Sequence, residues 1–280
     1  MTGARLTGFE SDGLHFTVRD DGPLDGPVVV ALHGFPQTSA SWAAVTPLLT
    51  AAGYRVLAPD QRGYSPGARP QEVRAYAMRA LAGDVLALAD AAGVERFHLL
   101  GHDWGAAVAW SVAGRHAARV ASLAAVSVPH PAAMQRALAG RQALKSWYIG
   151  AFQPPVIPEA LLRVRGGVLA RRLLASTGMR DTGEALRLLT DPRAATALLN
   201  WYRAIRLRGQ LGAGRIRVPT LFVWSDGDSA IGRRAAEGAG DFVSAPYRFE
   251  VFRGTSHWIP EERPQQLAAL VLEHLAAHPI

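Results

Sequence analysis

The sequence predicts an α/β protein: a mostly parallel, doubly wound sheet with helices on both faces and a helical segment inserted late in the chain. Three observations carry this. Short apolar runs of β type alternate with longer helical patterns from Leu14 to Val128. The alternation then stops between Pro129 and about Gly214, and strand character returns at Val218. Finally, a turn rich in small residues, Gly101 to Ala106, sits directly between an apolar run and a helical pattern. A chain of 280 residues is long enough for one large α/β core carrying such an insert.

The predicted strands are Leu14–Val18, Val28–Leu32, Arg55–Ala58, Phe97–Leu100, Val120–Val126, Thr220–Trp224 and Tyr247–Phe252. Helical spacing or strong helix formers mark Trp42–Thr50, Val73–Ala92, Trp104–Arg115 and Gln265–Ala277. The insert is helical and Arg-rich, broken at Pro154-Pro155, Pro158, Gly166-Gly167, Gly178, Gly183 and Pro192. Its expected place is over the carboxyl edge of the sheet, where open α/β sheets bind ligands and where a roof excludes water. The predicted division is therefore a core of residues 1–128 and 215–280 and a helical cap of residues 129–214.

Composition excludes several function classes. The chain has no Cys, so disulfides, thiolate metal sites and cysteine nucleophiles are ruled out. The first thirty residues carry four Asp and no secretory apolar core, and no apolar run is long enough to span a bilayer. A soluble, cytoplasmic protein with no membrane partner is the expectation. The net charge of +7 is uneven: residues 130–212 hold 13 basic and 4 acidic side chains. Because Lys145 is the only lysine, the excess reads as a solvated helical surface written in Arg rather than a nucleic-acid interface. No phosphate-binding loop, zinc-protease motif or calcium loop occurs, so no cofactor is implied. His274 and His278, one turn apart, read as surface residues near a helix end.

The chemistry is concentrated at Gly101-His102-Asp103-Trp104-Gly105-Ala106. This is a nucleophile elbow with Asp at its centre, held at a helix amino terminus whose N–H groups favour an anion. Asp226 and Asp228 follow the strand ending at Trp224, and His257 follows the strand ending at Phe252. The order nucleophile, acid, histidine is the one this kind of sheet uses. Asp228 is the favoured acid and Asp226 the alternative, since the triad needs only one of them and the other is suited to stabilising the turn. His33-Gly34-Phe35-Pro36 follows the strand Val28–Leu32, and backbone N–H groups at Phe35 and Trp104 are suited to an oxyanion hole. His33 itself reads as a structural hydrogen-bonding residue.

These motifs resemble the epoxide hydrolases of the α/β-hydrolase superfamily, and the likeness runs from about Gly8 to the end of the chain. The resemblance implies an eight-stranded, mostly parallel sheet and an inserted helical cap. In the insert, Ser146 to Pro154 and Leu199 to Arg203 resemble that family's two cap-tyrosine segments, which implies that Tyr148 and Tyr202 bind the epoxide oxygen. It further implies hydrolysis of a small apolar epoxide by water through an ester on Asp103, in a monomer or homodimer. Trp104, Trp147, Phe152 and Trp201 are the expected substrate contacts. Haloalkane dehalogenases share much of this core but usually carry Asn where this chain has Phe35, and fluoroacetate dehalogenases usually carry Arg in place of Trp104. A hydrolytic dehalogenase and a non-catalytic receptor of the same fold are the alternatives.

Overall fold

The computed structural model describes residues 4–207 and 212–280. Among these residues eight strands form one sheet in the order β1-β2-β4-β3-β5-β6-β7-β8. They are β1 Gly8–Ser11, β2 Leu14–Asp21, β3 Val28–Leu32, β4 Arg55–Pro59, β5 Phe97–His102, β6 Val120–Val126, β7 Thr220–Ser225 and β8 Tyr247–Phe252. β2 runs antiparallel to β1 and β4, and every other pairing is parallel.

Strand register decides where the chemistry collects. Leu32 pairs with Gly101, His102 with Val126, Val126 with Val223, and Ser225 with Phe252. The loops leaving β3, β5, β7 and β8 therefore emerge along one carboxyl edge. β3 is buried along its whole length, Val28, Val30 and Leu32 facing one core and Val29 and Ala31 the other. Full burial of a Val or Leu side chain contributes roughly 1.5–3 kcal/mol, so this strand alone anchors both layers.

Helices α1 Thr46–Ala51, α2 Met78–Ala91 and α3 Trp104–Arg115 follow the first strands. α2 and α3 cover one face through Leu81, Val85 and Trp110. α1 and the terminal helix cover the other through Leu49, Leu267 and Val271. Between β6 and β7 lie six consecutive helices: α4 Pro131–Ala137, α5 Gln142–Lys145, α6 Trp147–Ala151, α7 Ile157–Ser176, α8 Gly183–Thr190 and α9 Pro192–Ala204. Residues 208–211 of the predicted insert lie outside the described residues. α10 Arg233–Glu237, α11 Ile259–Glu262 and α12 Pro264–Ala276 complete the chain.

Four local readings differ from expectation. β1 was not predicted, because Gly8–Ser11 is short, pairs only with β2 and has no apolar run. The single helix expected over Val73–Ala92 is a 3-10 turn, Val73–Tyr76, followed by α2, because Ala77 adopts an extended ψ of 138° between them. Trp42–Thr50 likewise resolves into a 3-10 turn, Ser39–Trp42, and α1. His274 is buried rather than on the surface; its ring centroid lies 4.9 Å from that of His278, and burial lowers its pKa to about 4. The break expected at Gly166-Gly167 is present: Val164 to Gly167 leave helical geometry and kink α7.

Candidate active site

Asp103 is the one residue between the end of β5 and the start of α3. It holds φ 52° and ψ −119°, a strained conformation for a side chain with a Cβ. Only small neighbours allow it. A Cβ on Gly105 would lie 2.1 Å from the Leu32 carbonyl oxygen, and one on Gly34 would lie 2.4 Å from the Asp103 Cβ. The flanking glycines of the sequence motif are therefore demanded by close backbone approach, and the strain raises the carboxylate above the sheet edge.

Two sets of contacts fix that carboxylate. The Phe35 N–H donates to Oδ1 at 2.8 Å, and His257 Nε2 lies 3.4 Å from Oδ2. Trp104, the source of the other expected oxyanion donor, begins α3. Burial alone would raise the Asp103 pKa, but the His257 hydrogen bond and charge and the Phe35 N–H hold it below its usual value. At the far side of the imidazole, Nδ1 meets Asp228 Oδ2 at 2.8 Å. Burial pushes His257 down, yet the Asp228 charge and the hydrogen bonds to both carboxylates outweigh it and raise its pKa to about 10.

The two acid candidates are separated by these contacts. Asp228 is buried, and its Oδ1 accepts from the Ala230 and Ile231 N–H groups at 2.7 and 2.8 Å, leaving Oδ2 for the histidine. Asp226 instead accepts from the Gly254 N–H at 2.8 Å and so ties the two loops together. His33 is bonded within its own neighbourhood, through Nδ1 to the Gly34 carbonyl and through Nε2 to the Gln61 N–H.

Above the carboxylate lie two apolar cavities of about 200 and 330 Å³ that share Asp103, Tyr148 and Tyr202 as walls. Phe35, Trp147, Phe152 and His257 line the first. Trp104, Val128, Met134 and Ile149 line the second. The phenol rings stand edge to face with centroids 5.8 Å apart, and Tyr202 packs edge-on against both Phe35 and Trp104. Burial and the negative charge of Asp103 raise both phenol pKa values, while a hydrogen bond with the Trp104 side chain partly opposes this at Tyr202. Both hydroxyls therefore keep their protons near neutral pH.

Trp201 corrects the expectation of a direct substrate contact. It lines neither cavity; its indole N–H donates to the Arg62 carbonyl at 2.9 Å and its ring packs behind Trp104, 5.5 Å between centroids. A helix-face argument assigns aromatic character to α9 but not the side on which a buried Trp ends.

Several residues at the site were given no role by the sequence. His102 Nε2 and the Ser127 hydroxyl both meet the backbone carbonyl of His257 at 2.9 Å. Burial lowers His102 to about pKa 4, so it stays neutral beside the charged pair. From α5, Gln142 donates to the Ala230 carbonyl at 2.7 Å and accepts from the Gly232 N–H at 2.8 Å, while Lys145 donates to the Asp228 carbonyl. One turn of inserted helix thus clasps the loop that carries Asp228. The solitary Lys145 was a usable sequence signal for that contact.

Comparisons with known proteins agree with this geometry. Residues 27–264 match the alpha/beta hydrolase fold family. Epoxide hydrolase A of Mycobacterium tuberculosis is 34% identical, the alignment covering 95% of each chain. AB hydrolase superfamily protein YfhM of Bacillus subtilis is 35% identical over 98% of this chain and 99% of its own. The crystal structure of Epoxide Hydrolase A from Mycobacterium thermoresistibile superposes with a TM-score of 0.82 at 30% identity, covering 98% of both chains.

Proposed function

This chain belongs to the epoxide hydrolases of the α/β-hydrolase fold, and from that premise we propose that it converts an apolar epoxide to a vicinal diol through a covalent ester on Asp103. In this reading residues 129–214 form a cap subdomain over a core made of residues 1–128 and 215–280. The observation that carries it is the meeting of two protonated phenols, Tyr202 buried and Tyr148 half-buried, with an ionised carboxylate across a shared apolar cavity wall. A carboxylate displaces at saturated carbon, and its ester is then open to attack at its own carbonyl.

Asp103 Oδ1 is held by the Phe35 N–H, so Oδ2, which faces His257 Nε2 at 3.4 Å, is the oxygen that attacks. As the new C–O bond forms, the epoxide C–O bond breaks and its electron pair goes to the departing oxygen. Tyr148 and Tyr202 bind that oxygen, and one supplies its proton, help commonly worth about 100 to 10,000-fold. Esterification removes the Asp103 charge that helped hold His257 protonated, so the imidazolium returns a proton to the phenolate. Neutral His257, oriented by Asp228, then takes a proton from water as that water attacks the ester carbonyl. The oxyanion develops on Oδ1 at the Phe35 N–H, with the Trp104 N–H as the second donor. Collapse breaks the ester C–O bond, the departing alkoxide takes the proton left on the Asp103 carboxyl to become the second diol hydroxyl, and the Asp103/His257 ion pair is restored.

A single turnover in heavy-oxygen water tests this. The label is expected in the Asp103 carboxylate, and a first-turnover diol carrying it while the enzyme stays unlabelled would sink the ester.

A further inference from the structure

The outer side of α7 departs from the rule that surface helices hide one apolar stripe and show a polar face. Leu162, Ala170 and Leu174 pack inward, yet Ile157, Leu161, Val164, Val168 and Leu169 face outward and are 42–61% exposed. Trp147 on the adjacent α6 is 62% exposed. Six large apolar side chains exposed on two consecutive inserted helices, on both sides of the kink in α7, exceed ordinary scatter and mark a docking site. Exposed Arg165, Arg171 and Arg172 stud the same helix and form no ion pair among the described residues. The only carboxylate on α7, Glu159, is buried and held by Arg203.

The patch borders the entrance to the substrate cavity. Trp147 and Ser176, both exposed, also line the cavity beside Asp103, which therefore opens between α6 and the last turn of α7. A second copy docking through this face would bring a second set of like-charged Arg165, Arg171 and Arg172 side chains onto the same interface. An anionic lipid surface accepts apolar side chains and guanidinium groups together.

We propose that the outer face of α7 with Trp147 docks peripherally on anionic membrane surfaces, presenting the cavity mouth to apolar epoxides dissolved in the lipid. This departs from the expectation of no membrane partner, which rested on the want of a spanning run; no helix among the described residues is long and apolar enough to cross a bilayer. A surface-bound face is a separate matter. The substrate half of the proposal rests on the epoxide hydrolase reading; the docking half is measured without turnover, so the two fail independently.

The test is flotation of the whole protein with phosphatidylcholine vesicles and with equal mixtures of phosphatidylcholine and phosphatidylglycerol. Partition onto the mixed vesicles, weakened by salt and by omission of phosphatidylglycerol, is expected. The double substitution Leu161→Glu, Val168→Glu should lower that partition about tenfold or more, with turnover of a water-soluble epoxide unchanged. Arg165→Ser with Arg172→Ser, a milder pair, should abolish the preference for anionic lipid. No partition at low salt, equal partition of the variants, or a solution dimer dissolved by the same substitutions would overturn the proposal.

Discussion

In the resting site Asp103 is ionised and His257 carries a proton between two carboxylates, so the two proposed chemical steps should differ in their response to pH. In the proposed mechanism ring opening needs the Asp103 carboxylate, whose pKa is lowered, and a phenol proton that His257, with a pKa of about 10, afterwards replaces; its rate should stay flat across the neutral range. Hydrolysis of the ester needs His257 neutral, and with the Asp103 charge gone the histidine pKa falls below about 10, so that rate should rise with pH through the lowered value. Rapid-quench measurement of each half-reaction checks this, and a hydrolysis rate that falls with rising pH would refute it. His257→Gln removes the base while leaving the nucleophile, so the alkyl-enzyme should accumulate and intact-protein mass should rise by the full mass of the epoxide. Tyr202→Phe should slow ring opening by about 100-fold or more with little effect on ester hydrolysis. At this scale Asp103 and His257 stood out in the sequence because each follows a strand end and Asp103 sits in a Gly-rich turn. His102, Ser127 and Gln142 did not, since their roles come from contacts with a backbone carbonyl or N–H far along the chain, which side-chain type does not announce.

At the scale of elements, the buried parallel strands were legible because burial on both faces demands unbroken apolar runs, as in Val28–Leu32. β1 was not, because a four-residue edge strand paired only with β2 takes its shape from that partner rather than from its own pattern. The kink in α7 was readable from Gly166-Gly167, whereas the extended backbone at Ala77 carries no sequence mark. The clasp from α5 onto the Asp228 loop makes a prediction of its own. Gln142→Leu leaves the half-buried Ala230 carbonyl and Gly232 N–H without their partner, a loss of about 1 kcal/mol each. Ester hydrolysis should slow more than ring opening, because the loop orients Asp228 rather than Asp103. Equal slowing of both steps would reduce Gln142 to a purely structural part.

Across the whole molecule, the inserted helices are tied together by charge as well as by packing. Arg203 on α9 and Glu159 on α7 are both buried and form an ion pair at 2.8 Å. Glu159→Ala would strand the guanidinium, a loss of about 3–5 kcal/mol where a buried pair is broken. The melting temperature should drop on the order of 10 °C, and an unchanged thermal melt would show that the pair contributes nothing net. The division of labour between a rigid sheet edge holding Asp103, Asp228 and His257 and helices supplying the phenols was visible as the change of rhythm at Pro129. Which helical faces turn inward was not, as Trp201 and the outer side of α7 show. The solitary lysine has a practical outcome as well. Reagents aimed at primary amines meet a single side chain in this protein, Lys145, which lines the cavity and grips the Asp228 loop. Amine-coupled dyes, cross-linkers and resins will therefore settle either at the amino terminus or against the catalytic chamber, and immobilisation by that chemistry should be avoided in favour of an introduced cysteine, for which this chain offers no competitor.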